Sequence, residues 1–157
     1  MGCSFTGHRT IELRHRDKIR ECLFGKIEEA YRLGCRNFYS GAAIGFDTLA
    51  ALEVLRLKEI YPDVRLILLI PCANQDAAWS DAQKSMYKRL LTLADEVEYI
   101  SSSEYYNGCM QRRNKALVDR CRVLISYVGR IRSGSAQTQR MAEEAGKIIY
   151  NIFPELS

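Results

Sequence analysis

The sequence predicts an α/β protein in which a parallel β-sheet is covered by helices on both faces. Short apolar segments alternate with segments of helical periodicity along the chain of 157 residues, which is the pattern of successive strand–helix units. The run Arg65–Ile70 is apolar without alternation, as in a central parallel strand that is buried on both faces. No repeat, linker or low-complexity segment divides the chain, so we expect a single domain over residues 1–157.

The first half of the chain follows this pattern closely. A short strand at Cys3–Phe5 is followed by a helix over residues 17–33, and Gly34 stands where a helix C-cap glycine belongs. A second strand that ends at Tyr39 precedes a helix over residues 48–59. Apolar residues cover more than one stripe of this helix, so a second surface must cover it in addition to the sheet. That surface is either another helix or a partner subunit, and a homodimer is therefore one explanation.

The second half continues the alternation. Ser80 and Gln83 have the spacing of a capping box and predict the start of a helix that reaches Leu93. The other predicted elements are a strand at 97–100, a helix at 109–120, a strand at 123–127, a helix that ends at Gly146 and a strand at 148–152. Each strand except the last is followed by a helix, so the intervening loops begin at the carboxyl ends of the strands.

Composition excludes several classes of protein. The net charge of +4 weakly favours anionic ligands but does not by itself indicate binding to duplex DNA. The chain has six cysteines without a C-x-x-C pair and only two histidines, so we predict reduced thiols and no metal site. It has neither a signal-like apolar N-terminus nor an apolar run of about eighteen residues, and we therefore expect a cytoplasmic protein that does not span a membrane.

A glycine-bearing turn, Ser40–Asp47, joins the second strand to its helix. Gly41 and Gly45 lack the Cβ that would block a close approach, and backbone N–H groups at the positive end of a helix dipole attract anions. The spacing differs both from the fingerprint G-x-G-x-x-G and from the P-loop. Two interpretations stay open: a phosphate-binding loop, or a tight strand-to-helix turn without a ligand.

Loops with polar and glycine residues follow the other strands as well, at residues 6–9, 71–79, 101–108 and 129–135. All of them should meet at the edge where open parallel sheets bind ligands. Ser133–Ser135, with Arg130 and Arg132 nearby, is a second candidate anion site, although a helix N-cap is the simpler explanation for its last serine. Trp79 and Tyr105 would either stack on a base or anchor their loops.

Four polar side chains have both a functional and a structural interpretation. The periodicity of the helix from Cys109 places Arg113 and Asn114 on its apolar face, and a buried guanidinium needs a partner. That partner is either a bound phosphate or carboxylate, or a group of the protein itself. Asp47 is either a first-turn carboxylate stabilised by the helix dipole or an acceptor for ligand hydroxyls. His8 has no visible catalytic partner, so we predict no catalytic role for it.

Five motifs in chain order resemble the YpsA-type family of the SLOG superfamily, which also includes SMF/DprA and LOG proteins. They are TGHR at 6–9, SGAAIGFDT at 40–48, IPCANQ at 70–75 with Trp79, MQRRNKALVD at 110–119 and SGSAQT at 133–138. The resemblance spans nearly the whole chain and implies a Rossmann-like three-layer sandwich. It also implies a site at the strand ends for a nucleotide or nucleotide derivative, such as ADP-ribose or an NAD-like molecule.

Two relatives imply competing functions. LOG proteins are phosphoribohydrolases whose motif P-G-G-x-G-T-x-x-E carries a catalytic glutamate, and here Gln139 and Arg140 stand where that carboxylate would fall. Arg113 stands where LOG proteins carry an arginine. Hydrolysis would require a substitute carboxylate, either Asp47 or Glu104. DprA-like proteins bind single-stranded DNA, which calls for a strongly basic groove with stacking aromatics that the net charge does not indicate.

We therefore expect a nucleotide-binding domain that acts as a sensor or regulator, with no required cofactor beyond a bound nucleotide or phosphate and without nucleic acid as a partner. The alternatives are a hydrolase of nucleotide N-glycosidic bonds and a module that binds single-stranded nucleic acid. The catalytic candidates are Asp47 and Glu104. The predicted ligand-binding residues are Gly7, His8, Arg9, Ser40, Gly41, Gly45, Phe46, Asp47, Asn74, Gln75, Trp79, Arg113, Asn114, Gly129, Ser133, Gly134, Ser135 and Thr138.

Overall fold

The computed structural model describes residues 1–156, and the predicted alternation of strands and helices is confirmed in them. Boundaries differ from the predicted ones by a few residues at most, and the capping box at the start of the third helix is present. The elements are β1 (Gly2–Gly7), α1 (Ile19–Arg32), β2 (Asn37–Ser40), α2 (Phe46–Ile60), β3 (Arg65–Ile70), α3 (Asp81–Leu93), β4 (Glu96–Tyr99), α4 (Cys109–Arg120), β5 (Val123–Tyr127), α5 (Gly134–Glu144) and β6 (Ile148–Asn151).

The strands form one sheet in the order β4-β3-β2-β1-β5-β6, and every neighbouring pair is parallel. The chain adds β2, β3 and β4 on one side of β1 and then returns to place β5 and β6 on the other side. The loops after β1 and β5 leave towards helices on opposite faces, so a crevice opens between them at the topological switch point. The mostly parallel Rossmann-like sandwich predicted from the sequence is confirmed.

Helices α1, α2 and α3 cover one face of the sheet, and α4 and α5 cover the other. On the second face β1 presents the small polar residues Ser4 and Thr6, which leave room for α4 to approach closely. Ser4 Oγ donates a hydrogen bond of 2.7 Å to the carbonyl oxygen of Leu117. Arg113 lies one turn earlier on the same face of α4, so this contact carries its side chain to the carboxyl ends of the strands.

The start of α2 is locked to the loop after β1. Gly45 has a φ of 82°, and a Cβ at this position would lie 2.1 Å from the backbone oxygen of Arg9, so the turn accepts only glycine. The N–H of Phe46 donates to the carbonyl oxygen of His8 at 3.1 Å. The two loops therefore behave as one rigid ridge.

Helix α1 packs on α2 and explains much of the apolar surface that suggested a partner subunit. Leu49, Leu52 and Leu55 on α2 remain half-buried, and the homodimer stays a prediction. No helix within residues 1–156 combines the length and apolar character needed to cross a lipid bilayer.

Candidate functional site

A cavity of about 310 Å³ lies at the switch point. Its walls come from the loop after β1, the start of α2, the sheet-facing side of α4 and the first turn of α5. Predicted ligand-binding residues from all four segments line it: Gly7, His8, Arg9, Asp47, Arg113, Asn114, Ser133, Gly134 and Ser135. We refer to it below as the switch-point cavity.

Arg113 forms the floor of the switch-point cavity, and its side chain is buried, with 5% exposure. Its N–H groups donate to neutral acceptors. These are the carbonyl oxygens of Gly41 (2.8 Å) and Leu69 (3.4 Å), the side-chain oxygens of Asn114 (3.0 Å) and Gln75 (3.5 Å), and the sulfur of Met110 (3.8 Å). Burial lowers the pKa of Arg113, and the negative field of Asp47 opposes this shift. The guanidinium is thus positioned by dipoles, and its charge remains available to an anion.

Asp47 stands beside this guanidinium and is also buried, with 7% exposure. Burial raises the pKa of its carboxyl group to about 6, although Arg113, the N–H of Ala43 and Arg9 partly oppose the shift. A Cβ on Gly41 would lie 2.3 Å from Arg113 Nη1 and 2.9 Å from Asp47 Oδ2. The glycine therefore leaves room for both charged groups to approach the same Cα.

The turn that contains Gly41 and Gly45 uses its own amides internally. The N–H of Ala42 donates to Ser40 Oγ at 3.1 Å, and that hydroxyl donates to the Asp47 carbonyl at 3.0 Å. Ala42 has a φ of 55°, a strained conformation of the kind that persists only where its surroundings impose it. These contacts give the two glycines a packing role, and their contact with a phosphate stays a prediction.

The first turn of α5 forms the opposite wall of the switch-point cavity. Ser133 caps the helix by accepting the N–H of Ala136 at 3.0 Å, and its hydroxyl lies 3.2 Å from that of Ser135. Thr138 Oγ1 donates to the carbonyl oxygen of Gly134 at 2.9 Å and so supports the turn from behind. The positive end of the helix dipole faces the cavity here.

Three arginines contribute to the cavity. Arg113 forms its floor, and the exposed residues Arg9 and Arg130 line its mouth. Arg130 belongs to the loop that precedes α5, so its guanidinium adds to the field of the helix terminus. Thr10 and Ala43 also line the cavity, and neither residue type carries a signal in the sequence that would have identified it.

His8 ties the two loops of the switch point together. Its Nε2 accepts the N–H of Gly129 at 2.9 Å, so the ring is neutral and its Nδ1–H donates to Ser135 Oγ at 3.1 Å. Burial, followed by the positive charge of Arg130, lowers the pKa of His8. The arrangement makes His8 a structural connection between β1, β5 and α5, and Gly129 itself is exposed and does not line the switch-point cavity.

Replacing His8 with glutamine is expected to remove part of the pH dependence of stability. Because the pKa is lower in the folded state, the contribution of His8 is fully present above the unfolded-state value near 6.5 and is lost as pH falls through the folded-state value. The stability difference between wild-type and His8→Gln proteins, unfolded in denaturant between about pH 5 and pH 8, should therefore shrink towards the acid end. A stability difference that is constant over this range would contradict the assigned hydrogen bonds.

The remaining predicted residues lie outside the lining. Gln75, Ser40, Gly41 and Phe46 stand directly behind it, where Gln75 Nε2 donates to the Gly41 carbonyl at 3.3 Å. Asn74 accepts the N–H of Tyr105 at 2.8 Å and joins the loops after β3 and β4. The other two are Trp79, which packs edge-on against Tyr87 with 5.2 Å between ring centroids, and Glu104, which is exposed and does not line the switch-point cavity.

The fold and the cavity define a Rossmann-like α/β protein with an arginine-lined crevice at its switch point. A family model described as the YspA SLOG family (YpsA) matches residues 3–152. The chain therefore belongs to this family, which confirms the resemblance inferred from the five motifs.

Two relatives with similar sequences have names that state no activity. The uncharacterized SPbeta prophage-derived protein YoqJ of Bacillus subtilis (strain 168) is 27% identical over 154 residues, which cover 89% of this chain and 90% of YoqJ. The UPF0398 protein ABC2016 of Shouchella clausii (strain KSM-K16) is 33% identical over 129 residues, which cover 81% of this chain and 62% of that protein. This chain thus spans less than two thirds of the length of ABC2016.

Two solved structures share the fold. DNA processing protein A (DprA) from Streptococcus pneumoniae aligns with a TM-score of 0.67 at 20% identity, over 94% of this chain and 48% of its own. DNA processing protein A from Helicobacter pylori, described by its single-stranded DNA binding mode, aligns with a TM-score of 0.65 at 20% identity, over 95% of this chain and 63% of its own. At this identity the likeness establishes the fold alone.

Proposed function

We propose that the switch-point cavity binds the anionic part of a nucleotide or nucleotide derivative, and that the protein is a sensor or regulator of that ligand. The observation that carries the proposal is the convergence of Arg9, Arg113 and Arg130 with the N-terminus of α5 on one cavity. Asp47 is the only carboxylate among the lining residues that belong to the described part of the chain. The lining therefore carries a net positive charge, which suits phosphate groups.

Other features of the cavity suit the sugar of such a ligand. Its volume of about 310 Å³ lies within the range of small-molecule sites. Asp47 supplies an acceptor, and the Ser135 hydroxyl and the Asn114 amide supply mixed donors and acceptors for ribose hydroxyls. Binding of this kind requires no metal or organic cofactor, so the ligand itself is the only small molecule in the proposal.

Replacing Arg130 with methionine tests the proposal, because Arg132 provides a matched control. Both arginines are exposed and two residues apart, but only Arg130 lines the cavity. The probes are AMP, ADP-ribose, NAD and inorganic phosphate, added during thermal unfolding and in calorimetric titrations. We expect at least one nucleotide to raise the unfolding temperature, Arg130→Met to weaken its Kd about tenfold or more, and Arg132→Met to change it about twofold or less.

Two results would count against this function. One is the absence of any thermal shift with millimolar concentrations of all four probes. The other is equal weakening by the two arginine variants, which would mean that only the overall charge matters and that the cavity is not the site.

The pKa of Asp47 supports one alternative, hydrolysis of an N-glycosidic bond. A carboxyl group with a pKa of about 6 is suited to general acid–base chemistry near neutral pH. Gln139, which stands where the LOG glutamate would fall, does not supply such a group. Its side chain lies outside the cavity lining and accepts a hydrogen bond from Ser126 Oγ. Release of free base from AMP or NAD, abolished in Asp47→Asn while the ligand still binds, would favour this alternative.

The likeness to DprA supports a second alternative and weakens the expectation that nucleic acid is not a partner. The Helicobacter pylori protein is described as binding single-stranded DNA, and this chain carries a net charge of +4. Titration with an oligothymidylate at two salt concentrations tests this alternative. Steep salt dependence, together with competition by the oligonucleotide against the nucleotide probe, would favour the nucleic-acid function.

A further inference from the structure

A second cavity adjoins the switch-point cavity on the other side of the ridge formed by the loop after β1 and the turn at the start of α2. It has a volume of about 460 Å³ and lies among the start of α1, the first turns of α2 and one side of α3. Arg9 and Thr10 line both cavities. We call this second cavity the α2 groove, and its apolar wall consists of Ile11, Ile19, Ile44, Leu49 and Met86.

The position of the ridge between the two cavities is fixed by backbone contacts. The Phe46 N–H bonds to the His8 carbonyl, and the Cα of Gly45 packs against the Arg9 backbone oxygen. The Arg9 guanidinium therefore projects from a rigid base at the point where the cavities meet. An extended ligand that crosses this point would place a charged group next to Arg9.

The charges at the rim of the α2 groove favour an anionic occupant. Arg9, Arg16 and Arg20 line it, and no carboxylate does so among residues 1–156. Arg20 is paired with Glu53 at 3.2 Å, whereas Arg9 and Arg16 have no carboxylate partner within ion-pair distance in the described chain. An apolar wall flanked by unpaired cations matches a ligand that combines an apolar planar ring with phosphates.

We infer that the α2 groove is the subsite for the base of a nucleoside diphosphate or a larger nucleotide derivative, whose phosphates pass Arg9 into the switch-point cavity. This inference rests on the proposed function, because it extends the ligand of the switch-point cavity into a neighbouring cavity. The half-buried side chains of Leu49 and Met86 contact the ring from opposite helices. The two cavities together then select a ligand that has both a base and phosphates, and phosphate alone occupies only the switch-point cavity.

The experiment compares two probes that differ only in the presence of the base, namely ribose 5-diphosphate and ADP. Leu49→Gln introduces a polar amide into the α2 groove, and Leu55→Gln is its control, because Leu55 is a half-buried leucine of the same helix that does not line this groove. Met86→Gln places the same change on the opposite wall. Kd values are measured by calorimetry on the full chain.

We expect the wild-type protein to bind ADP about tenfold or more tightly than ribose 5-diphosphate, because the ring buries apolar surface in the groove. Leu49→Gln and Met86→Gln should each weaken ADP binding about tenfold and change ribose 5-diphosphate binding less than about twofold. Leu55→Gln should change neither Kd.

Two results would overturn the two-part site while the anion-binding function stands. The first is equal affinity of the wild-type protein for the two probes. The second is an unchanged ratio of the two Kd values in both groove variants. If neither probe binds the wild-type protein, the two-part site and the proposed function are overturned together.

Discussion

Replacing Arg113 with methionine is expected to lower the free energy of unfolding by about 3 to 5 kcal/mol at pH 7.5, because it leaves buried acceptors without a donor and a buried carboxylate without its compensating charge. The guanidinium donates to the Gly41 and Leu69 carbonyls and to Gln75, and methionine provides no donor for them. Its removal also leaves the buried carboxylate of Asp47 without the strongest positive charge beside it. Denaturant unfolding at constant ionic strength measures the loss.

Arg112 provides the control for this prediction. It precedes Arg113 on α4 but is exposed, and within residues 1–156 its guanidinium donates only to the Tyr106 hydroxyl at 3.2 Å. Arg112→Met should change stability by about 0.5 kcal/mol or less. The loss in Arg113→Met should also shrink at pH 5, where Asp47 is mostly protonated and no longer needs a positive neighbour. Equal losses in the two variants would contradict the role assigned to the buried guanidinium.

Replacing Asp47 with asparagine is expected to stabilise the protein at neutral pH. The folded-state pKa of about 6 exceeds the ordinary value of 3.8, so the stabilising contribution of the carboxyl group is fully present below about pH 3.8 and is lost as pH rises through 6. Asparagine has no proton to lose and keeps an oxygen that can accept the Ala43 N–H. The difference in free energy of unfolding between the variant and the wild-type protein should therefore grow with pH in favour of the variant and reach about 3 kcal/mol above pH 7.

Measurements of unfolding between about pH 4 and pH 7.5 test this pH dependence. Asp119→Asn is a suitable control, because Asp119 is exposed on α4 and pairs with Lys115 at the surface. A stability difference between Asp47→Asn and wild type that does not grow with pH would show that the carboxyl group ionises as an ordinary exposed group. That result would contradict the raised pKa that burial gives this carboxyl group.

The layers of this fold could be predicted because their signals are local. A continuous apolar run marked β3, a capping box marked the start of α3, and helical periodicity placed Arg113 on the buried face of α4. Each of these signals depends on residues within a few positions of one another, so no knowledge of tertiary contacts was needed.

The details of the site could not be predicted, because its contacts join distant segments. The carbonyl that Arg113 meets belongs to Gly41, 72 residues earlier, and the amide that His8 accepts belongs to Gly129, 121 residues later. The sequence left open whether the glycines at 41 and 45 contact a ligand or close a tight turn, and a Cβ at either position would collide with the protein itself. A glycine pattern alone does not distinguish a close approach by ligand from one by protein.

The order of the strands in the sheet has a consequence for folding during synthesis of the chain. β1 occupies an inner position between β2 and β5, but β5 leaves the ribosome long after β1 does. Until then one side of β1 has unpaired backbone groups and behaves as an open edge, which is the kind of surface that chaperones and aggregating chains recognise. The switch-point cavity needs both strands, so a nascent chain that stops before Val123 contains the first four strands of the sheet without this cavity.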